Sequence, residues 1–250
     1  MAAIELKSNV YWVGAIHWNT CTAAPRGTTF NAYLVVDEQI TLVDTVYAPY
    51  TADLINHISE IVAPTEIDNI IVNHIEPEHI GAFPEIMRLN PSAKVYVAAN
   101  AVKGITNVFY KDLNINAVKT GDSINTGKYT FRFIETPMLH WPDSMFTYIS
   151  KLKLLLPNDV FSQHYASNQR FADQVDEASV MESAKKYYAD ILNPVSQIVL
   201  RKLAEVEKLE LEIDMIAPSH GFIWRKEIEK LIAAYQRWAQ MNTGKKVVVG

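Results

Sequence analysis

The chain has 250 residues, 49% of them apolar, a formal charge of −5 and a single cysteine. That length supports one large domain or two small ones with a full core. The acidic balance leaves no basic footprint for nucleic acid or an anionic membrane surface, and Cys21 alone excludes an internal disulfide or a four-cysteine metal site. No run approaches the roughly 18 apolar residues of a membrane-spanning helix. "MAAIELKSNVYWVGAI" lacks a basic head joined to a long apolar stretch, so no secretory signal is read and a cytoplasmic protein is expected.

In chain order, "TTFNAYLVVD" and "QITLVDTV" are β-branched apolar runs meeting at a turn, and they predict a hairpin. "YTADLINHISEIV" spaces Leu54, Ile55, Ile58 and Ile61 at helical intervals, and Pro64 ends the helix. "IDNIIVN" reads as a short buried strand. "HIGAFPEIMRLN" reads as a helix stopped by Asn90-Pro91. "AKVYVAAN", "KYTFRFIET" and "SMFTYISKLKLLLPN" are further strands. Residues 170–209 read as largely helical with a break near Asn193-Pro194. "LEIDMIAPSH" returns to a strand, and "KEIEKLIAAYQRWAQM" is an amphipathic helix with Ile228, Leu231, Ile232, Tyr235 and Trp238 on one face. No repeat or internal linker divides the chain, and the alternation of strands and helices predicts a layered α/β fold with mixed sheets.

The chemistry gathers at strand ends. "HIEPEH" places His74, Glu76, Glu78 and His79 directly after "IDNIIVN". His140 follows "FRFIETPML", Asp159 follows "LLLPN" and His220 follows "IDMIAPS", each where a loop turns across the end of a sheet. A lone histidine in such a place is more often ordinary packing than a ligand. The first cluster is different, because two carboxylates set so close repel unless positive charge lies between them, and metal ions supply it. Four histidines and three carboxylates provide donors for two metals, with one carboxylate able to bridge. Imidazole with carboxylate and no thiolate suits iron, manganese or zinc. Glu-x-x-His of helical di-iron bundles is excluded by Pro77, and His-Glu-x-x-His is absent. A binuclear zinc hydrolase would carry His-x-His-x-Asp-His, and here Glu76 stands at the second histidine. Trp141, Phe161, Tyr165 and Trp224 adjoin the candidate ligands and read first as core packing.

"NHIEPEHIGAFPEI", "LHWPDSMFTYI", "LLLPNDVFSQHYA" and "IAPSHGFIWR", in this order, resemble the di-iron domain of the flavodiiron proteins, and "GTTFNAYLVVDEQITLVDT" resembles the strand pair that opens it. The resemblance implies a metallo-β-lactamase-like four-layer αββα sandwich over residues 1–243. It implies two iron ions, one held by His74, Glu76 and His140, the other by Glu78 and His220, with Asp159 bridging. His79 aligns with a histidine that binds the second iron in some members and stands off in others. Position 78 is usually aspartate in the family, and Glu78 adds a methylene. Residues 244–250 resemble the first strand of the family's FMN-carrying flavodoxin domain; no phosphate-binding loop follows, so FMN is not expected. With no flavin to supply electrons, the expectation is a dioxygen-binding sensor of the kind associated with bacterial chemotaxis, working with a chemotaxis signalling protein. The alternatives are an oxygen or nitric oxide reductase, either a piece of a full-length flavodiiron protein or one served by a separate donor, and a binuclear zinc hydrolase. Family pairing implies a homodimer.

Overall fold

The computed structural model describes residues 2–109 and 113–240. The first half contains β1 (Ile4–Lys7), β2 (Val10–Trp12), β3 (Ala15–His17), β4 (Thr28–Phe30), β5 (Tyr33–Val35), β6 (Ile40–Val43), α1 (Thr51–Ser59), β7 (Ile67–Val72), α2 (Pro77–Ile80), α3 (Phe83–Leu89), β8 (Lys94–Ala98), α4 (Val102–Phe109) and β9 (Ile115–Val118). Seven of these strands form a sheet in the order β1-β2-β5-β6-β7-β8-β9, antiparallel up to β6 and parallel beyond it; β3 and β4 pair separately. The second half adds β10 (Ser123–Asn125), β11 (Thr130–Glu135), β12 (Met145–Ile149), β13 (Leu154–Leu156), α5 (Glu177–Tyr187), α6 (Ser196–Glu207), β14 (Met215–Ile216) and α7 (Ile228–Ala239). Here the five strands run in chain order, with only the last pair parallel.

The two-residue period of the strands sorts their side chains into three cores. Ile70 and Val72 of β7 face Leu54, Phe83 and Ile86 of the first helical layer, whereas Ile71 faces the second sheet. Leu154 and Leu156 of β13 point back at the first sheet, and Leu155 points at Val199, Leu203 and Leu231 of the second helical layer. Both sheets are therefore apolar on both faces, as four αββα layers require. The burial of Ile70, Ile71 and Val72 explains why "IDNIIV" is an unbroken apolar run rather than an alternating one.

The predicted hairpin is present as β5 and β6, with Tyr33 opposite Val43. Three elements differ from expectation. "TTFNAYLVV" is two strands, because the chain leaves β4 at Asn31 and enters the large sheet at Tyr33. "SMFTYISKLKLLL" is also two, turning at Lys153 in the left-handed region and folding back on itself. The predicted helix over 79–90 is split at Gly81-Ala82, where the backbone passes so close to Tyr47 and Ala48 that a Cβ on Gly81 would lie 2.2 Å from the Ala48 nitrogen. The helical region breaks near Asn193-Pro194 as read, and its first seven residues precede α5. Among the described residues no helix is long and apolar enough to cross a membrane. The strand expected at 244–250 lies outside the described residues.

Candidate metal centre

All seven candidate side chains come together at one end of the sandwich. β7 delivers His74 and Glu76, α2 delivers Glu78 and His79, the loop after β11 delivers His140, and the turns after β13 and β14 deliver Asp159 and His220. Two groups result, each with one donor atom per residue within 4.8 Å of the others: His74, Glu76, His140 and Asp159, and Glu78, His79, Asp159 and His220. Asp159 belongs to both. Its Oδ2 lies 3.1 Å from His140 Nε2, and its Oδ1 lies 3.3 Å from His79 Nε2 and 3.4 Å from His220 Nε2. One buried carboxylate thus presents an oxygen to each group.

Glu78 reaches inward despite its extra methylene, with Oε1 2.9 Å from His220 Nε2. His79 turns into the second group; its ring centroid is 5.2 Å from that of His220 and 5.5 Å from that of His74. The buried His79 Nε2 and His220 Nε2 make no hydrogen bond, although carboxylate oxygens lie 2.9–3.8 Å away. A buried polar nitrogen left unpaired is costly. Close approach without hydrogen-bonding geometry is what results when nitrogen and oxygens face a shared third atom, so the donor set fits two metal ions. The electrostatics agree. Burial lowers the affinity of His74 for a proton, but hydrogen bonds to Asp143 and Glu76 outweigh it and lift its pKa to about 10. His140 rises to about 9, against its own burial, through Asp159 and Glu76. His220 rises to about 10 through Glu78 and Asp159, again against burial. Asp159 is fully buried yet held well below the usual carboxylate range by the surrounding imidazoles. The site demands positive charge, which metal cations in place of these protons would provide.

A ring of further groups holds the donors. Asp143 Oδ2 accepts from His74 Nδ1 at 2.8 Å and from the Ile75 amide at 2.9 Å. Asp44 accepts from the amide and side chain of Asn73 at 2.7 and 3.0 Å, and from Asn158 at 3.4 Å, tying the ends of β6, β7 and β13 together. Asn73 joins the two sheets by accepting from the Thr147 hydroxyl at 2.7 Å. Ser219 donates to Asp159 Oδ1 at 2.7 Å. None of these was a sequence candidate, although Asp143 sits inside the recognised "LHWPDSM". The only available signal was a carboxylate three residues after a candidate histidine. Of the four aromatics, Phe161 and Trp224 are buried in the outer core as expected, and Tyr165 packs on Phe222. Trp141 departs from that expectation. It is 47% exposed and its ring lies 6.1 Å from that of His74.

The fold and this donor set define a metallo-β-lactamase-like domain with a binuclear, nitrogen- and oxygen-rich metal centre. Residues 28–221 match the ODP family beta lactamase group, and the chain belongs to it: it is the di-iron domain of the flavodiiron proteins. It is 47% identical to a nitric oxide reductase of Moorella thermoacetica over 98% of this chain and 63% of that protein. It is 38% identical to the anaerobic nitric oxide reductase flavorubredoxin of Citrobacter koseri, covering 95% of this chain and 51% of the relative. Among solved structures it superposes on the rubredoxin oxygen:oxidoreductase of Desulfovibrio gigas with a TM-score of 0.93 at 34% identity, over 95% of this chain and 61% of that one. The flavodiiron protein of Giardia intestinalis gives 0.90 at 30% identity, over 96% and 60%. The chain thus spans between half and two thirds of the length of these relatives.

Proposed function

We propose that this chain is the gas-reducing half of a nitric oxide or dioxygen reductase, with iron at both subsites and electrons arriving from a separate redox group. The observation that carries it is the pair of four-donor groups sharing Asp159. Two ferrous ions held there would supply one electron each to a bound diatomic gas. Two electrons and two protons convert two molecules of nitric oxide to nitrous oxide and water. A two-metal store therefore matches one nitric oxide turnover, whereas dioxygen to water needs four electrons and a refill. The names of the relatives support a reductase over the oxygen sensor expected from the sequence.

This chain's residues divide the work. His74, Glu76, His140 and Asp159 would hold the first metal, and Glu78, His79, Asp159 and His220 the second. The side chains of Glu76 and His140 keep 27% and 18% of their surface in solvent, so the first subsite has a window. Met138 and Trp141, 41% and 47% exposed, flank it. An electron donor, such as a flavin group on another protein or another part of a longer chain, docks on this apolar rim. A second copy of the chain that brings its donor here would give the expected homodimer.

The test is single-turnover chemistry. Iron-reconstituted, reduced protein mixed anaerobically with nitric oxide should yield about one nitrous oxide per two irons, and repeated turnover on adding a reduced flavin or rubredoxin donor. A gas adduct that forms and persists without reduction would favour the sensor, with its chemotaxis partner still to be found. Stoichiometric zinc with esterase activity would favour the hydrolase. Either result defeats the proposal.

A further inference from the structure

The two subsites are braced differently. His74 of the first leans on a carboxylate, Asp143. His220 of the second follows the two-residue strand β14, which is too short to fix the loop 217–221. Residues 29–33, far away in sequence, hold that loop. The Thr29 carbonyl accepts from His220 Nδ1 at 2.6 Å, and the Thr29 hydroxyl accepts from the Gly221 amide at 2.7 Å. The Asn31 amide donates to the Ser219 carbonyl at 2.8 Å. The Asn31 side chain donates to the carbonyls of Pro218 at 2.8 Å and Gly221 at 3.2 Å. Tyr33 adds its hydroxyl to the Pro218 carbonyl.

Asn31 is fixed at its other end too. Its Oδ1 accepts from the Trp12 indole at 2.8 Å, and an indole only donates, so the amide can face the loop in one orientation alone. Trp12 is covered in turn by the Arg170 guanidinium, 4.5 Å from its ring centroid. Asn31, Trp12 and Arg170 are 1%, 0% and 2% exposed. Gly221 has φ +76°, and a Cβ there would lie 2.4 Å from the Gln163 carbonyl oxygen, so the loop packs against Gln163 in a conformation that only glycine fits. An amide held in the link between β4 and β5 thus sets the path of the loop after β14.

We infer that Asn31 is a positioning residue for the second metal subsite: it aims His220 through the 218–221 loop, and that loop's link to the shared carboxylate, Ser219 to Asp159, ends on Oδ1, the oxygen facing His79 and His220. The inference rests on the two-metal reading of the site. Outer groups that orient ligands typically change metal affinity 10- to 100-fold when removed. Asn31→Asp keeps the shape and the acceptor for Trp12 but removes both donors, setting a carboxylate against two carbonyl oxygens. Thr29→Val removes a hydroxyl at nearly constant volume.

Anaerobic ferrous titration and Mössbauer spectra of ⁵⁷Fe-loaded wild type, Asn31→Asp and Thr29→Val test it. The expected result is two ions and two iron environments in the wild type. In Asn31→Asp, one ion should bind 10- to 100-fold more weakly and one environment be lost, while the other keeps its wild-type parameters. Thr29→Val should weaken the same ion by a smaller factor, and if Asn31→Asp does not fold, the uncharged, near-isosteric Asn31→Leu, which removes the same two donors, decides the matter. Equal weakening of both ions, or none, overturns the inference. A wild-type chain that holds fewer than two ions overturns the two-metal reading and this inference with it. That result is distinct from a two-ion wild type whose variants match it.

Discussion

At the scale of single residues, the site depends on which groups serve one metal and which serve both. Asp159 belongs to both donor groups, so on the proposed reading Asp159→Ala should reduce bound metal from two ions per chain to below one, measured by elemental analysis of iron-loaded protein. Of the seven candidate ligands Asp143 braces His74, and Asp143→Asn should weaken a single ion by about 10- to 100-fold while the other is retained, as read by anaerobic titration. Equal loss of both ions would remove the distinction drawn between the subsites. The seven candidate residues stand out in the sequence because they cluster just past apolar strands, in motifs that keep their order. The braces were not. Asp143, Asp44 and Asn31 act through hydrogen bonds to residues 69, 29 and 187 positions away, and only Asp143, three residues after a candidate histidine, carries any local mark. Thr29 is harder still, since its carbonyl would be offered by any residue type.

At the scale of elements, the strands that carry donors are fixed by packing on both faces. Ile71 of β7 is fully buried between the sheets, immediately before the run that ends in His74. Ile71→Ala should cost about 2–5 kcal/mol of stability, measured by urea unfolding of the metal-free protein. The β10–β11 hairpin is held instead by a charge. Asp37 accepts from the Thr126 hydroxyl at 2.7 Å and from the amides of Lys128 and Tyr129 at 3.1 and 2.9 Å. Burial alone would raise its carboxyl, but these donors hold it below its usual value. A carboxyl depressed on folding contributes fully above its unfolded pKa of about 3.9 and loses that contribution as pH falls through the lower folded value. Asp37→Asn should therefore destabilise at pH 7 by on the order of 1 kcal/mol, its partial exposure considered, with the gap to wild type closing below about pH 4. A gap independent of pH would refute the charge account. Strand and helix identities followed from periodicity, but boundaries did not. Apolar runs continue through Asn31-Ala32 and through Lys151-Leu152-Lys153 while the backbone turns, because both turns are buried or flanked by core residues that look like strand.

At the scale of the molecule, the metal centre closes one end of the sandwich. Its donors come from loops after β7 in the first sheet and after β11, β13 and β14 in the second, and the two sheets otherwise meet through an apolar core and a few polar links such as Thr147 to Asn73. Without metal, six charged or protonated groups face one another there: His74, His140 and His220 are raised toward the charged form, and Glu76, Glu78 and Asp159 are lowered toward theirs. Those ion pairs hold the metal-free site together, so the empty fold should persist rather than collapse. An ion that binds only the folded chain adds RT ln(1 + [L]/Kd), about 2.7 kcal/mol at a free concentration a hundredfold above Kd. For a chain of this size that corresponds to roughly 5–10 °C in melting temperature for each subsite filled. Anaerobic scanning calorimetry with ferrous ion, and again after chelation, should show the melting point rise in two steps, with a cooperative transition surviving at the lower temperature. If chelated protein lost its cooperative transition altogether, the metals would be folding elements like those of a zinc finger, and the ion-pair account of the metal-free site would be wrong.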